Sequence, residues 1–305
     1  MSDARSVAGS RVPLHAETSL GSVSLNVADL DRQVAFYREV LGFEVQRRAG
    51  RRAWLGAGEE DLLELVEVSG ARRPPRSTGL YHFAVLLPSR RELARPIARL
   101  NELGHPHHPT DHVMTQATYL TDPEGQEVEL YADTPEEGDW SFANGVFSAR
   151  RADGTPSNGL EPLDVESLFR ELSAGDRLDQ PIPEETRIGH VHLYVRDLDE
   201  ALRFYSGVIG FEEMGRAPRF KMGFVSAGGY HHHIGLNTWM GEGAPPPPPG
   251  SLGLRHFTVL VPDAGELARV KARLTGAGVS TERSETGILA RDPSENAMLF
   301  TARGE

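Results

Sequence analysis

Leu20–Phe43 reads LGSVSLNVADLDRQVAFYREVLGF, and Ile188–Phe211 reads IGHVHLYVRDLDEALRFYSGVIGF. The chain therefore states one pattern twice: a strand, a D-L-D turn, and a helix carrying F-Y that ends in G-F. Internal repeats decide architecture before any local signal does. The copies differ at one telling place, where His190 stands in the second and Ser22 in the first. Side chains alternate between the faces of a strand. Val191, Leu193 and Val195 thus share one face, and His190, His192 and Tyr194 share the other. The first copy keeps Val23, Leu25 and Val27 but sets Ser22, Ser24 and Asn26 opposite. The apolar face is common scaffold, whereas the polar face has diverged. A lone strand histidine can be a hydrogen-bonded filler; one added to a single copy of a repeat also suits chemistry.

The repetition extends further. Gly79–Pro88 (GLYHFAVLLP) is answered by Gly253–Pro262 (GLRHFTVLVP), and Tyr119–Glu129 (YLTDPEGQEVE) by Ala290–Leu299 (ARDPSENAML). Helices are expected around Arg90–Leu103 and Ala264–Ala277. Each half reads as two βαβββ units, and the chain as four. Two proline-rich breaks separate units within the halves, Ala71–Thr78 and Gly243–Gly250, because proline donates no ladder hydrogen bond. The expected organisation is a disordered tail over 1–17, a first two-unit domain over 18–133, a connection over 134–186, and a second two-unit domain over 187–305. Val165, Leu168, Phe169 and Leu172 fall at helical spacing inside the connection, which predicts a short packed helix there.

Composition bounds the function. The chain has 305 residues, enough for two ordinary domains. Its formal net charge of -12 argues against nucleic acid or an anionic membrane surface as partner. No apolar run approaches the roughly 20 residues of a membrane span. The N-terminus lacks the apolar stretch of a signal peptide, so a cytoplasmic protein is expected. With no cysteine there is neither a disulfide nor a thiolate ligand, and any metal must be held by nitrogen and oxygen.

Three further features could carry chemistry. His82 opens the strand Tyr81–Leu87, but His256 matches it in the other half. Glu129 lies between Val128 and Leu130, which face the other way. Either it sits on a solvated face beside Glu127, or it is buried and requires a metal or a cation. The other half has Leu299 there. Gly228–Trp239 reads GGYHHHIGLNTW. As a strand it puts His231 and His233 on one face and His232 on the other, with Ile234, Leu236 and Trp239 arguing for burial. Neutral imidazole binds metals and serves as acid or base near neutral pH.

These motifs resemble the vicinal oxygen chelate superfamily of glyoxalases, bleomycin-resistance proteins and extradiol dioxygenases. The chain looks most like bacterial catechol 2,3-dioxygenases of the short two-domain type. The carrying motifs are V-x-D-L-x-x-x-x-x-F-Y-x-x-x-x-G-F, G-L-Y-H-F, Y-L-T-D-P-E-G-Q-E-V-E-L-Y and G-G-Y-H-H-H-I-G-L-N. The resemblance implies an α+β fold of four βαβββ units forming two barrels, helices outside. It implies an extradiol ring-cleaving dioxygenase acting on a catechol or hydroquinone with O2, using Fe(II) or else Mn(II). It maps the metal ligands onto His82, Glu129 and His190. The acid–base group falls on His233, with His231 as fallback, and Tyr119 and His112 assist. Two alternatives are a glyoxalase-like or isomerase metalloenzyme with His233 as fourth ligand, and a non-catalytic binding or resistance protein. Homo-oligomer formation is left open.

Neither half holds the full ligand set. Residues 20–133 supply Ser22, His82 and Glu129, and residues 188–301 supply His190, His256 and Leu299. A complete set requires the second unit to pair with the third, leaving the first and fourth to form a barrel lined by Ser22, His256 and Leu299. Phe220, Met222 and Trp239 are candidates for a ring-binding wall or for plain core packing.

Overall fold

The computed structural model describes residues 12–304. The first unit comprises β1 (Ser19–Val27), α1 (Leu30–Glu39), β2 (Glu44–Ala49), β3 (Arg52–Ala57) and β4 (Glu60–Glu67). The second comprises β5 (Gly79–Leu86), α2 (Arg90–Glu102), β6 (His108–Asp111), β7 (Thr115–Thr121) and β8 (Glu127–Asp133). The connection holds β9 (Gly138–Ser141), β10 (Ser148–Arg151), β11 (Pro156–Ser157), β12 (Glu161–Pro162) and α3 (Val165–Phe169). The third unit has β13 (Arg187–Tyr194), α4 (Leu198–Leu202, running on into a π-helical stretch over Arg203–Ile209), β14 (Glu212–Ala217), β15 (Met222–Ser226) and β16 (Ile234–Asn237). The fourth has β17 (Gly253–Val261), α5 (Ala264–Gly276), β18 (Thr281–Arg283), β19 (Gly287–Arg291) and β20 (Ala297–Ala302).

Local chemistry sets the repeated strand–helix turn. The aspartates that begin each D-L-D, Asp29 and Asp197, are N-caps, accepting from the backbone N–H of Arg32 and Glu200. Ser89 and Asp263 cap α2 and α5 in the same way. The G-F ending works because Gly42 and Gly210 take positive φ, 82° and 106°, where other residues are strained. Within every unit the first strand pairs in parallel with the last, as β1 with β4 and β5 with β8. The helix makes the crossover that a parallel pair requires.

The sheets do not follow the halves of the chain. β5 pairs antiparallel with β13, giving a nine-stranded sheet in the order β12-β6-β7-β8-β5-β13-β16-β15-β14. β1 pairs antiparallel with β17, giving an eight-stranded sheet, β18-β19-β20-β17-β1-β4-β3-β2. The ninth strand of the larger sheet, β12, comes from the connection. Each half is tied internally instead by a repeated buried contact. Tyr37 donates to Asp122 and Tyr205 to Asp292, each at 3.1 Å. One apolar core runs through both sheets and includes Val23, Phe83, Val191 and Phe257.

Two expectations need amendment. Residues 12–17, expected as part of a disordered tail, pack on the fold: Leu14 is buried and its N–H donates to Gly210 O at 2.8 Å. Residues 1–11 of that expected tail lie outside the described residues. The connection carries α3 as expected, packed near α2, but it also folds into a three-stranded sheet, β11-β10-β9. Among the described residues, no helix is long and apolar enough to cross a membrane.

Candidate metal centre and cavity

Three adjacent strands of the larger sheet, β8, β5 and β13, converge on one point. Ala84 of β5 stands opposite Glu129 of β8 on one side and His190 of β13 on the other. His82 precedes Ala84 by two residues and so shares its face. The small Ala84 leaves the space into which the three longer side chains lean. His82 Nε2 lies 3.3 Å from His190 Nε2 and 3.2 Å from Glu129 Oε2, and His190 Nε2 lies 3.0 Å from Glu129 Oε2. Three donors at roughly 2.1 Å from one ion and at right angles to each other stand about 3.0 Å apart. The triangle therefore has the size of one face of a metal octahedron.

The electrostatics agree with a cation. Glu129 is 1% exposed, and an unpaired buried carboxylate is costly. Burial alone would raise its carboxyl, but His190 and His82 hold it well below the ordinary range. Burial, opposed by Glu129, pushes the His190 imidazole down to about 4. A neutral His190 presents a lone pair, as metal binding requires. The corresponding positions of the eight-stranded sheet hold Ser22, His256 and Leu299, and Leu299 has no donor atom.

The triangle opens onto a cavity of about 390 Å³. Tyr119 and His112 line one side. His112 Nδ1 is 2.7 Å from Gly159 O, a carbonyl that can only accept, so Nδ1 carries the ring proton. Its Nε2 is then the acceptor for the Tyr119 hydroxyl at 2.9 Å. Burial, then the charge of Glu129, keeps the Tyr119 phenol well above its ordinary range, so the hydroxyl stays protonated. Phe220, Met222 and Trp239 all line the cavity.

The histidine run keeps the split expected of a strand, with His232 on the opposite side from His233, but it is the His232 side that meets the cavity. His232 lines the cavity, with its ring centroid 4.2 Å from that of His190. His233 points away into a second cavity beside Tyr230 and Arg187. Its Nδ1 is held there, 2.8 Å from Ser226 Oγ and accepting from Ala227 N–H at 3.2 Å. His231 is set behind His232 and reaches the cavity only through it. His233, expected as the acid–base group, and His231, its fallback, therefore do not line this cavity, whereas His232 does. The reason is local: β16 begins only at Ile234. Val225 pairs with Ile234, yet its carbonyl also accepts from His233 N–H at 3.0 Å, so the alternation of β16, which sets Gly235 beside His192, does not continue in register into the three histidines.

Two contributors escaped the sequence reading. His192 is buried, faces the cavity and packs against Trp239. Its place on the His190 face was legible. Gly235 opposite makes room, since a Cβ there would lie 2.9 Å from the His192 ring. The other contributor is the connection, whose Trp140, Phe147, Gly159 and Leu160 close the cavity's far wall. Aromatic residues in an otherwise polar stretch were the available signal.

Comparison with known proteins follows the same lines. The family model of the Glyoxalase/Bleomycin resistance protein/Dioxygenase superfamily matches residues 19–130 and 187–297. The chain belongs to this superfamily. Within it, a catechol-2,3-dioxygenase of Bacillus subtilis (strain 168) is 41% identical over 289 residues, covering 94% of this chain and 98% of the relative. A solved structure from Bacillus subtilis subsp. subtilis str. 168 superposes with a TM-score of 0.65 at 15% identity, over 96% of this chain and 87% of that one. Glyoxalase I from Zea mays gives 0.56 at 18% identity, over 93% and 92%. At these identities the solved structures speak for the superfamily fold alone.

Proposed function

We propose that this protein is an extradiol ring-cleaving dioxygenase that uses O2 to open a catechol-type ring beside its two hydroxyls. The observation that carries the reading is one cavity in which a two-histidine, one-carboxylate face stands beside His232 and the Tyr119–His112 pair. The 41% identity to the Bacillus subtilis catechol-2,3-dioxygenase over nearly the whole chain supports it.

His82, Glu129 and His190 would hold the divalent ion, Fe(II) by preference and Mn(II) as the alternative. Such a face leaves neighbouring positions free for a diol and for O2, between which the ion relays electrons when bound. His232 supplies the base: its imidazole takes a proton from one diol hydroxyl and returns a proton to an oxygen of the opening ring. Tyr119, whose proton is committed to His112, offers its oxygen to the second hydroxyl. Aromatic and apolar side chains grip the ring and exclude water. Both oxygen atoms of O2 enter the product, so no other reductant is needed. The glyoxalase-like alternative called on His233 as fourth ligand, and His233 lies outside this cavity.

The test is to load the protein with Fe(II) in the absence of air, then add air-saturated buffer and catechol. Catechol-dependent O2 uptake with a yellow ring-opened product is expected. Iron-loaded protein that binds catechol but consumes no O2 would overturn the reading.

A further inference from the structure

Behind the cavity, three polar side chains stand in line. His232 Nδ1 lies 2.8 Å from His231 Nδ1, and His231 Nε2 lies 3.1 Å from Asp133 Oδ1. Asp133 ends β8, four residues after Glu129 and therefore on the same face. Its carboxylate is 29% exposed, whereas the His231 side chain is 5% exposed. Tyr230 also donates to Asp133, at 3.1 and 3.3 Å, and the Tyr131 hydroxyl is 2.6 Å from that of Tyr230.

For a neutral His231 the donor and acceptor roles along this line follow in turn. A carboxylate only accepts, so His231 carries its proton on Nε2. Its Nδ1 is then a bare lone pair. Two nitrogens 2.8 Å apart require one proton between them, and His232 must supply it from Nδ1. The Nε2 of His232 is therefore bare, and it is the nitrogen left to the cavity. Free neutral imidazole favours the opposite tautomer, with the proton on Nε2, which would present a donor in place of a base.

We propose that His231 and Asp133 are positioning residues that lock His232 in the Nδ1–H tautomer and so leave its Nε2 ready to accept a proton. This deepens the dioxygenase reading and rests on it for the role of His232, but the tautomer itself can be measured without any reaction.

The test uses the metal-free full chain labelled with 15N-histidine. Long-range 1H–15N correlation spectra report which ring nitrogen of His232 is protonated. Wild type should show Nδ1–H. His231→Phe keeps a ring of similar shape but removes the acceptor, and should move His232 to Nε2–H. Asp133→Ala keeps both rings and should give a mixture, so it serves where His231→Phe does not fold. In iron-loaded protein both variants should lose kcat, by on the order of 100-fold for His231→Phe, with KM for catechol and iron content little changed. Asp133→Glu should restore most of the loss. A wild-type spectrum showing His232 as Nε2–H would overturn the proposal, as would variants that lose turnover while His232 stays in the Nδ1–H form. Absence of O2 uptake in wild type would count against the dioxygenase reading alone, because the spectra do not depend on it.

Discussion

The Nε2 atoms of His82 and His190, 108 residues apart in the chain, lie 3.3 Å from each other across the β5–β13 pairing. They share Glu129 as a partner. Removing any one of the three should cost metal affinity by at least the roughly 10- to 100-fold associated with the loss of a supporting group around a metal. Metal content after dialysis, measured by elemental analysis on His82→Ala, Glu129→Ala and His190→Ala, checks this. His256→Ala, in the other sheet, should keep its metal.

Ala84 is the spacer that allows the convergence, since it stands between Glu129 and His190 and is fully buried. Ala84→Leu should push the two ligands apart. The expected result is weaker metal binding together with overpacking of about 1–3 kcal/mol. Denaturant unfolding of the metal-free protein isolates the second effect, and metal titration reports the first.

His232 and His233 are neighbours in sequence with different surroundings. His232→Ala should retain metal yet lose turnover by on the order of 100- to 10,000-fold. His233→Ala should leave turnover within a few-fold of wild type, because its ring faces the second cavity. Iron content and O2 uptake on the same preparations decide both.

His233 predicts a pH effect on stability. Burial pushes its imidazole from an ordinary 6.5 down to about 4. Between those values the unfolded chain binds the proton and the folded chain does not, so stability falls as pH drops through that window and is unaffected above it. At pH 5 the loss relative to pH 7 is about 2 kcal/mol from this residue. Urea unfolding of metal-free wild type and His233→Gln at both pH values should show a shallower acid loss in the variant.

Among the described residues, the cavity lining contains no arginine or lysine, and Glu129 is its one carboxylate. Ring substituents that are neutral and apolar should therefore be accepted, and a ring carboxylate should be disfavoured by desolvation. We expect kcat/KM for 3,4-dihydroxybenzoate to fall at least roughly tenfold below that for 4-methylcatechol, equivalent to ~1.4 kcal/mol of transition-state binding. Steady-state O2 uptake with both substrates measures it.

The repeat made much of this legible. Alternation in Val191–Val195 separated scaffold from polar face because both copies are regular strands, and the D-L-D turns marked where α1 and α4 begin. The unequal donors at His190/Ser22 and Glu129/Leu299 pointed to pairing between the second and third units, since no single half held all three. What failed to show was irregular backbone. A register irregularity opposite Val225, where the histidine run meets β16, set His232 toward the cavity, and alternation has no means of registering such a break. The wall supplied by Trp140, Phe147 and Leu160 was hidden for a related reason. Those side chains are placed by tertiary folding of a loop-rich segment with no period to read.

The central claim is that the triangle of His82, Glu129 and His190 serves ring opening by O2. The most direct measurement is the mass of the product formed from catechol by Fe(II)-loaded protein under 18O2. A ring-opened product carrying both labelled atoms is the predicted result. Catechol recovered intact, or a product in which neither atom derives from O2, would contradict the account.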